Sequence, residues 1–218
     1  MKKVVVIHTT PVTIPLLKKL IRQEVGECEV VNLLDDSMLP EINEAGRVTE
    51  GVRYRLYSLL ALAGTLKPDA VLCACSSIGG LIDDGRSLLS VPVLRIDEPM
   101  AAAAVKAGRK IGVAATLQST IEPTCALIER KAKEAGADSM MTSAVIEGAG
   151  ALLAAGDGAG YDALVSAELR TLAAKNDVVV LAQASMARAI AGMEETERKK
   201  FLTSPVSGVK ALAEVLKR

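Results

Sequence analysis

Short apolar runs alternate along this chain with longer stretches of helical periodicity. VVVIH (4–8) precedes a helical pattern that begins at Pro11–Thr13 and continues through LLKKLIRQEV. CEVVNLL (28–34) follows, then a loop with Asp35, Asp36 and Pro40, and a long helix over VRYRLYSLLALAGTL. AVLCAC (70–75), a short helix and VPVLRI (91–96) close the first half. The second half opens on KIGVAAT (110–116), a helix to Ala135 and DSMMTSAVI (138–146). YDALVSAELRTLAAK then leads into DVVVLAQ (177–183), with helix from there to the end. Strands alternating with helices of this length predict parallel βαβ units and an α/β fold.

The two halves repeat one another. KKVVVIHTTPVTIP lines up with RKIGVAATLQSTIEP, so that Thr9 falls on Thr116 and Thr13 on Thr120. KPDAVLCACSS lines up with KNDVVVLAQAS, so that Asp69 meets Asp177, Cys75 meets Gln183 and Ser77 meets Ser185. Apolar strands resemble one another by chance, but polar residues matched just past two strand ends at nearly one offset indicate a duplicated α/β unit. Ligands of open parallel sheets bind beyond the carboxyl ends of the strands, where helix N-termini present free N–H groups. If the halves face each other across a pseudo-twofold axis, these groups converge on one small cleft suited to a carboxylate. Serine and threonine at such positions are also ordinary helix N-caps, and the two roles are compatible.

Composition narrows the function. Half of the 218 residues are hydrophobic, only 2% are aromatic and there is no Trp, which suits Ala-, Val-, Leu- and Ile-built helix–sheet packing. Lys and Arg balance Asp and Glu at 26 each, with no basic stripe, which argues against nucleic acid as a partner. No apolar run approaches a membrane span, and MKKVVVIHTTP reads as a first strand rather than a signal peptide, so the expected location is cytoplasmic. The cysteines Cys28, Cys73, Cys75 and Cys125 are expected as free thiols. One histidine and no C-x-x-C pair argue against a metal site, and no dinucleotide fingerprint or P-loop is present. GAGALLAAGDGAG (148–160) reads as a mobile connection and EETERKK (194–200) as a solvated helix face. Tyr54 and Tyr57, at helical spacing, read as surface cover.

The strand ending in Cys-Ser-Ser and its second copy VLAQASM, inside this repeat, resemble the aspartate/glutamate/hydantoin racemase superfamily over essentially the whole chain. The resemblance implies two flavodoxin-like α/β lobes, residues 1–97 with 205–218 and residues 98–204, the final helix packing back on the first lobe. It implies cofactor-independent chemistry on a small carboxylate in the cleft between lobes, and admits a homo-oligomer. It also implies one acid/base position per half: Cys75 in the first and Gln183 in the second, where typical members have a second cysteine. The substrate-binding positions map onto His8, Thr9, Ser76, Ser77, Thr116, Thr120 and Ser185.

A free thiol has a pKa of roughly 8.5, and a following helix N-terminus favours its anion, so Cys75 is suited to act as base or nucleophile. Cys73, two residues earlier on the same strand, is expected to pack, and Cys28 and Cys125 to be structural. His8 is expected to line the site rather than carry the proton. An amide cannot exchange a proton at neutral pH, so Gln183 removes symmetric two-cysteine racemisation. Three readings remain: an isomerase with another group on the second face, a one-sided decarboxylase or cis–trans isomerase, and a non-catalytic carboxylate binder.

Overall fold

The computed structural model describes residues 1–217. The strands form two four-stranded parallel sheets of the same topology. The first joins β1 (Lys3–His8), β2 (Glu29–Leu34), β3 (Ala70–Cys73) and β4 (Val93–Arg95) in the order β2-β1-β3-β4. The second joins β5 (Lys110–Ala115), β6 (Met140–Val145), β7 (Val178–Leu181) and β8 (Phe201–Thr203) in the order β6-β5-β7-β8. Each sheet belongs to its own compact unit: unit 1 is Met1–Glu98 with the segment from Pro205 on, and unit 2 is Pro99–Ser204.

The central strands read as unbroken apolar runs because both of their faces are covered. In unit 1, Val5, Ile7, Val71 and Cys73 face one core cluster, while Val4, Val6, Ala70 and Leu72 face another. In unit 2, Val179 and Leu181 face one cluster, and Ile111, Val113, Val178 and Val180 the other. Helices supply the covering layers: α1 (Thr13–Glu24), α2 (Met38–Ala45), α3 (Glu50–Thr65), α4 (Gly79–Gly85), α5 (Glu98–Ala107), α6 (Ile121–Ala135), α7 (Ala149–Ala154), α8 (Gly158–Ala173), α9 (Glu195–Arg198) and α10 (Ser204–Leu216).

The long helices α3 and α8 repeat one design. The Thr49 hydroxyl accepts the Val52 N–H at the start of α3, and the Asp157 carboxylate accepts the Gly160 N–H at the start of α8. Each then buries a stripe with the same spacing: Val52, Leu56, Leu60 and Ala63 on α3, Tyr161, Val165, Leu169 and Leu172 on α8. The final helix α10 belongs to unit 1. Its Val209, Leu212 and Leu216 join Val4, Val6, Leu17 and Ile21 in one cluster. Gly208 lets it approach, since a Cβ there would lie 2.4 Å from the Ile96 carbonyl oxygen.

Three local readings differ from the sequence expectation. Pro40 lies inside α2 rather than in a loop, because a proline in the first helical turn forfeits no hydrogen bond that the helix needs. The Gly-rich stretch contains α7, and the charged run ends in the short α9 and strand β8 instead of continuing as helix.

The matched aspartates of the repeat have a structural explanation. Asp69 accepts the Lys3 N–H at 2.7 Å, and Asp177 accepts the Lys110 and Arg109 N–H groups at 2.8 and 2.9 Å. Each carboxylate thereby clamps the first residue of its sheet's inner strand. These N–H groups, more than the nearby lysines, hold both aspartates below the usual carboxylate range. A lowered folded pKa contributes stability that is present above the unfolded value, about 4, and lost as pH falls through the folded one. Asp177→Asn is therefore expected to lower the thermal midpoint at pH 7, and its gap to wild type should close as the pH falls below the ordinary carboxylate range, as read by circular dichroism melts from neutral to acid pH.

Candidate functional site

Parallel pairing decides which residues meet at the strand ends. Ile7 pairs with Cys73 across β1 and β3, and Ala114 pairs with Leu181 across β5 and β7. Two residues further on, Thr9 stands level with Cys75 in unit 1, and Thr116 with Gln183 in unit 2. The chain leaves both central strands in the same backbone conformation, with φ −133° and ψ 122° at Cys75 and φ −130° and ψ 137° at Gln183. Each residue precedes a 3-10 turn, Ser76–Ile78 in one unit and Ala184–Ile190 in the other.

The unit 1 turn is built around a thiol. Cys75 is half-buried at the edge of the cluster that contains Cys73. Burial pushes its thiol above the ordinary range, so it rests protonated. The opposing groups are the Thr9 hydroxyl and the N–H and hydroxyl of Ser77 with the N–H of Ile78, all of which favour the anion. The Thr9 and Ser77 hydroxyls are buried and face the sulfur without a well-formed hydrogen bond to any group. Ser76 is buried beside them. Cys73 is more deeply placed, and burial drives its thiol far up. Cys28 and Cys125 are half-buried and also raised by burial, with no hydroxyl directed at either sulfur.

His8 is tied into the protein on both sides of its ring. It is fully buried, with Nε2 hydrogen-bonded to Asn32 Oδ1 at 3.0 Å and Nδ1 to the Thr13 hydroxyl at 2.8 Å. Burial lowers its pKa and keeps the ring neutral.

The unit 2 turn is built around an amide. Gln183 Oε1 accepts the Thr116 N–H at 2.5 Å and the Thr116 hydroxyl at 3.0 Å. A backbone N–H can only donate, so this contact fixes the amide orientation and leaves the Nε2 hydrogens as what Gln183 presents. Thr120 is buried, and its hydroxyl donates to the Leu117 carbonyl at 2.8 Å within the turn that leads into α6. Ser185 is half-buried. Its neighbour is a residue that the sequence pattern hid: Tyr161, fully buried, whose hydroxyl faces Ser185 and Thr116 without a well-formed hydrogen bond. At helical spacing a tyrosine among Val and Leu reads as core, which is why periodicity did not single it out.

A second unforeseen group explains the first of the two glycines that follow Cys-Ser-Ser-Ile. Arg95, at the end of β4, is 4% exposed and forms a two-pronged contact with Asp97, Nε to Oδ1 at 3.0 Å and Nη2 to Oδ2 at 2.9 Å. Its Nη1 reaches Asp83 at 2.6 Å, and Arg86 joins Asp83 to Glu98. The guanidinium lies flat against Gly79, where a Cβ would fall 2.3 Å from Cζ. Gly80 faces open space. Among the described residues no cluster of His, Cys, Asp and Glu is arranged to hold a metal, and no helix is long and apolar enough to cross a membrane.

This architecture, a duplicated parallel α/β unit with strand-end turns, is shared with solved racemases. A glutamate racemase from Bacillus anthracis is 18% identical with a TM-score of 0.71, over 99% of this chain and 82% of that one. The aspartate racemase of Picrophilus torridus is 12% identical with a TM-score of 0.70, over 98% and 95%. The allantoin racemase of Klebsiella pneumoniae is 15% identical with a TM-score of 0.66, over 100% and 88%. No curated protein sequence matches the chain. The Asp/Glu/Hydantoin racemase family model matches residues 3–216, and the chain belongs to that family.

The two glycines separate by experiment. Gly79→Ala must dislodge Arg95 from Asp97 and is expected to cost on the order of 3 kcal/mol, the lower end for a broken buried ion pair. Gly80→Ala, in an open helical position, should be neutral or stabilising by up to about 1 kcal/mol. Urea unfolding of the two variants measures the difference.

Proposed function

We propose that this protein is a cofactor-independent isomerase of the racemase type that removes the proton α to the carboxylate of a small amino-acid-like, hydroxy-acid or dicarboxylic substrate, with Cys75 as the acid/base. Membership of a racemase family supports the reaction class. The observation that carries the residue assignment is the setting of Cys75: of the four thiols, it alone sits at a strand end with hydroxyls and turn N–H groups directed at its sulfur.

The chemistry follows from that setting. The thiol is held neutral by burial, so the anion that abstracts the proton must be formed at a cost. Two N–H groups and two hydroxyls lower this cost without introducing a charge. Thr9 and Ser77, buried and without well-formed partners, are suited to donate to the thiolate or to a substrate oxygen. His8 supports this corner by fixing Thr13 and Asn32.

A second reading, a one-cysteine cis–trans isomerase or decarboxylase, draws support from Gln183, whose amide carbonyl is committed to Thr116. An enzyme of that kind needs no titrating group at position 183.

The test uses hydrogen exchange in deuterated water with the enantiomers of aspartate, glutamate and allantoin, together with 2-hydroxy dicarboxylates. Cys75→Ala is expected to reduce α-hydrogen exchange at least a thousandfold, while Cys73→Ala retains most of it. Exchange that survives Cys75→Ala would refute the assignment. Because the Cys75 thiol is raised, kcat/KM should climb with pH across neutrality and level off only above the ordinary thiol range. A rate flat from pH 6 to 9 would contradict a thiolate base.

A further inference from the structure

We propose that Arg95 is the positioning residue of the Cys75 turn: its guanidinium, locked by Asp97 and Asp83, is the floor against which the turn closes, and it thereby keeps the Ser77 and Ile78 N–H groups aimed at the sulfur. This deepens the α-proton reading above and rests on it for the role of the thiol.

Strand parity puts the guanidinium on the thiol's side of the sheet. Cys73 pairs with Arg95 across β3 and β4, and the Ile96 N–H donates to the Cys73 carbonyl at 3.0 Å. Cys73 and Val93 belong to the core cluster that also takes Ile78, Leu81 and Ile82, and Cys75 packs at its edge. Side chains two apart on a strand share a face, so Arg95 follows Val93 onto the side where Cys75 and its turn stand. Cys75 occupies the N-cap position of that turn. A side chain there faces the N–H groups two and three residues on, which are those of Ser77 and Ile78. Gly79 closes the turn by donating its N–H to the Ser76 carbonyl, and it is against Gly79 that the guanidinium lies.

The guanidinium is held on every side. Asp97 takes Nε and Nη2, and Asp83, itself on α4, takes Nη1. Arg95 therefore meets α4 at its first residue and again at its fifth, which stops the turn from rotating about the chain that enters it. With two carboxylates on it, the arginine brings no net positive charge to the sulfur. It acts through where it puts the turn.

Stability does not account for this group, since apolar residues of similar volume commonly match a buried ion pair. The internal repeat points the same way. At the offset that sets Cys75 on Gln183, Arg95 falls on Thr203 and Gly79 on Ala187, and unit 2 forms the same sheet without the cation. There the 3-10 turn runs on from Ala184 to Ile190, whereas in unit 1 it gives way to α-helix at Gly79. Arginine and glycine accompany the thiol; threonine and alanine accompany the amide.

The probe is iodoacetamide, whose carbon bonds to the thiolate sulfur as iodide leaves. Modification of Cys75 in the full-length protein is followed by mass spectrometry from pH 6 to 10. Arg95→Met with Asp97→Asn removes both charges at similar volume, and its urea midpoint is expected to stay near that of wild type. Alkylation of Cys75 at pH 8 should fall about tenfold in this variant, with the pH profile displaced upward. A merely loosened site would instead expose the sulfur and react faster at every pH. Gly79→Ala should slow alkylation in the wild-type background and add nothing in the double variant, where no guanidinium is left to dislodge. An unchanged or faster reaction in Arg95→Met/Asp97→Asn, failure of that variant to fold, or a full additional effect of Gly79→Ala within it would overturn the proposal. The reagent needs no substrate, which separates this test from the parent reading. Exchange of the α-hydrogen surviving in Cys75→Ala would defeat that reading and leave the arginine's hold on the thiol standing.

Discussion

The register of parallel strands is the constraint on which the rest depends. Pairing Ile7 with Cys73 and Ala114 with Leu181 carries Thr9 to Cys75 and Thr116 to Gln183 with no further instruction. A one-residue slip would turn every side chain to the other face and take the thiol out of its hydroxyl surroundings. The clamps at the opposite ends of the strands secure that register. Asp69 and Asp177 each seize the first N–H groups of their sheet's inner strand, so the same pairing is fixed at both ends. The aspartates matched by the internal repeat therefore belong to the scaffold, and the matched residues beyond the strands stand at the turns that follow.

Within that common frame the two units have diverged in what they present. The backbone at Cys75 and Gln183 is nearly the same, yet one side chain titrates and the other does not. Around Cys75 the hydroxyls of Thr9 and Ser77 await a partner. Around Gln183 the strand-end threonine is already engaged, and the waiting hydroxyl belongs to a helix residue, Tyr161. The supporting layers differ as well. Unit 1 backs its turn with the buried Arg95–Asp97–Asp83 group, which holds the start of α4 through the space left by Gly79. At the corresponding strand of unit 2, β8, the chain reads Phe-Leu-Thr and has no such cation.

Much of this was legible in the sequence, for physical reasons that also explain what was not. Apolar runs buried on both faces made the central strands plain, and the offset repeat brought Cys75 and Gln183 into correspondence. His8 could be placed at a strand end, but not its saturation by Thr13 and Asn32, since those partners come from other elements. Arg95 was silent for the same reason, its carboxylates being twelve residues before it and two after. Tyr161 was masked by periodicity, which records that a position is buried and not whether its hydroxyl is satisfied. Strand β8 was hidden by brevity, three residues that follow a charged helix.

The central claim is that one titrating thiol, in one unit, handles the substrate proton. The most direct measurement follows, by proton NMR in deuterated water, the α-hydrogen and the configuration of a single enantiomer of a substrate that the protein turns over. The account predicts that deuterium enters the unreacted enantiomer faster than configuration is lost, since Cys75 abstracts the proton and returns solvent deuterium to the same face more often than the opposite face is protonated. Deuterium appearing only in the inverted product, with none in the starting enantiomer, would require a second acid/base group and contradict it.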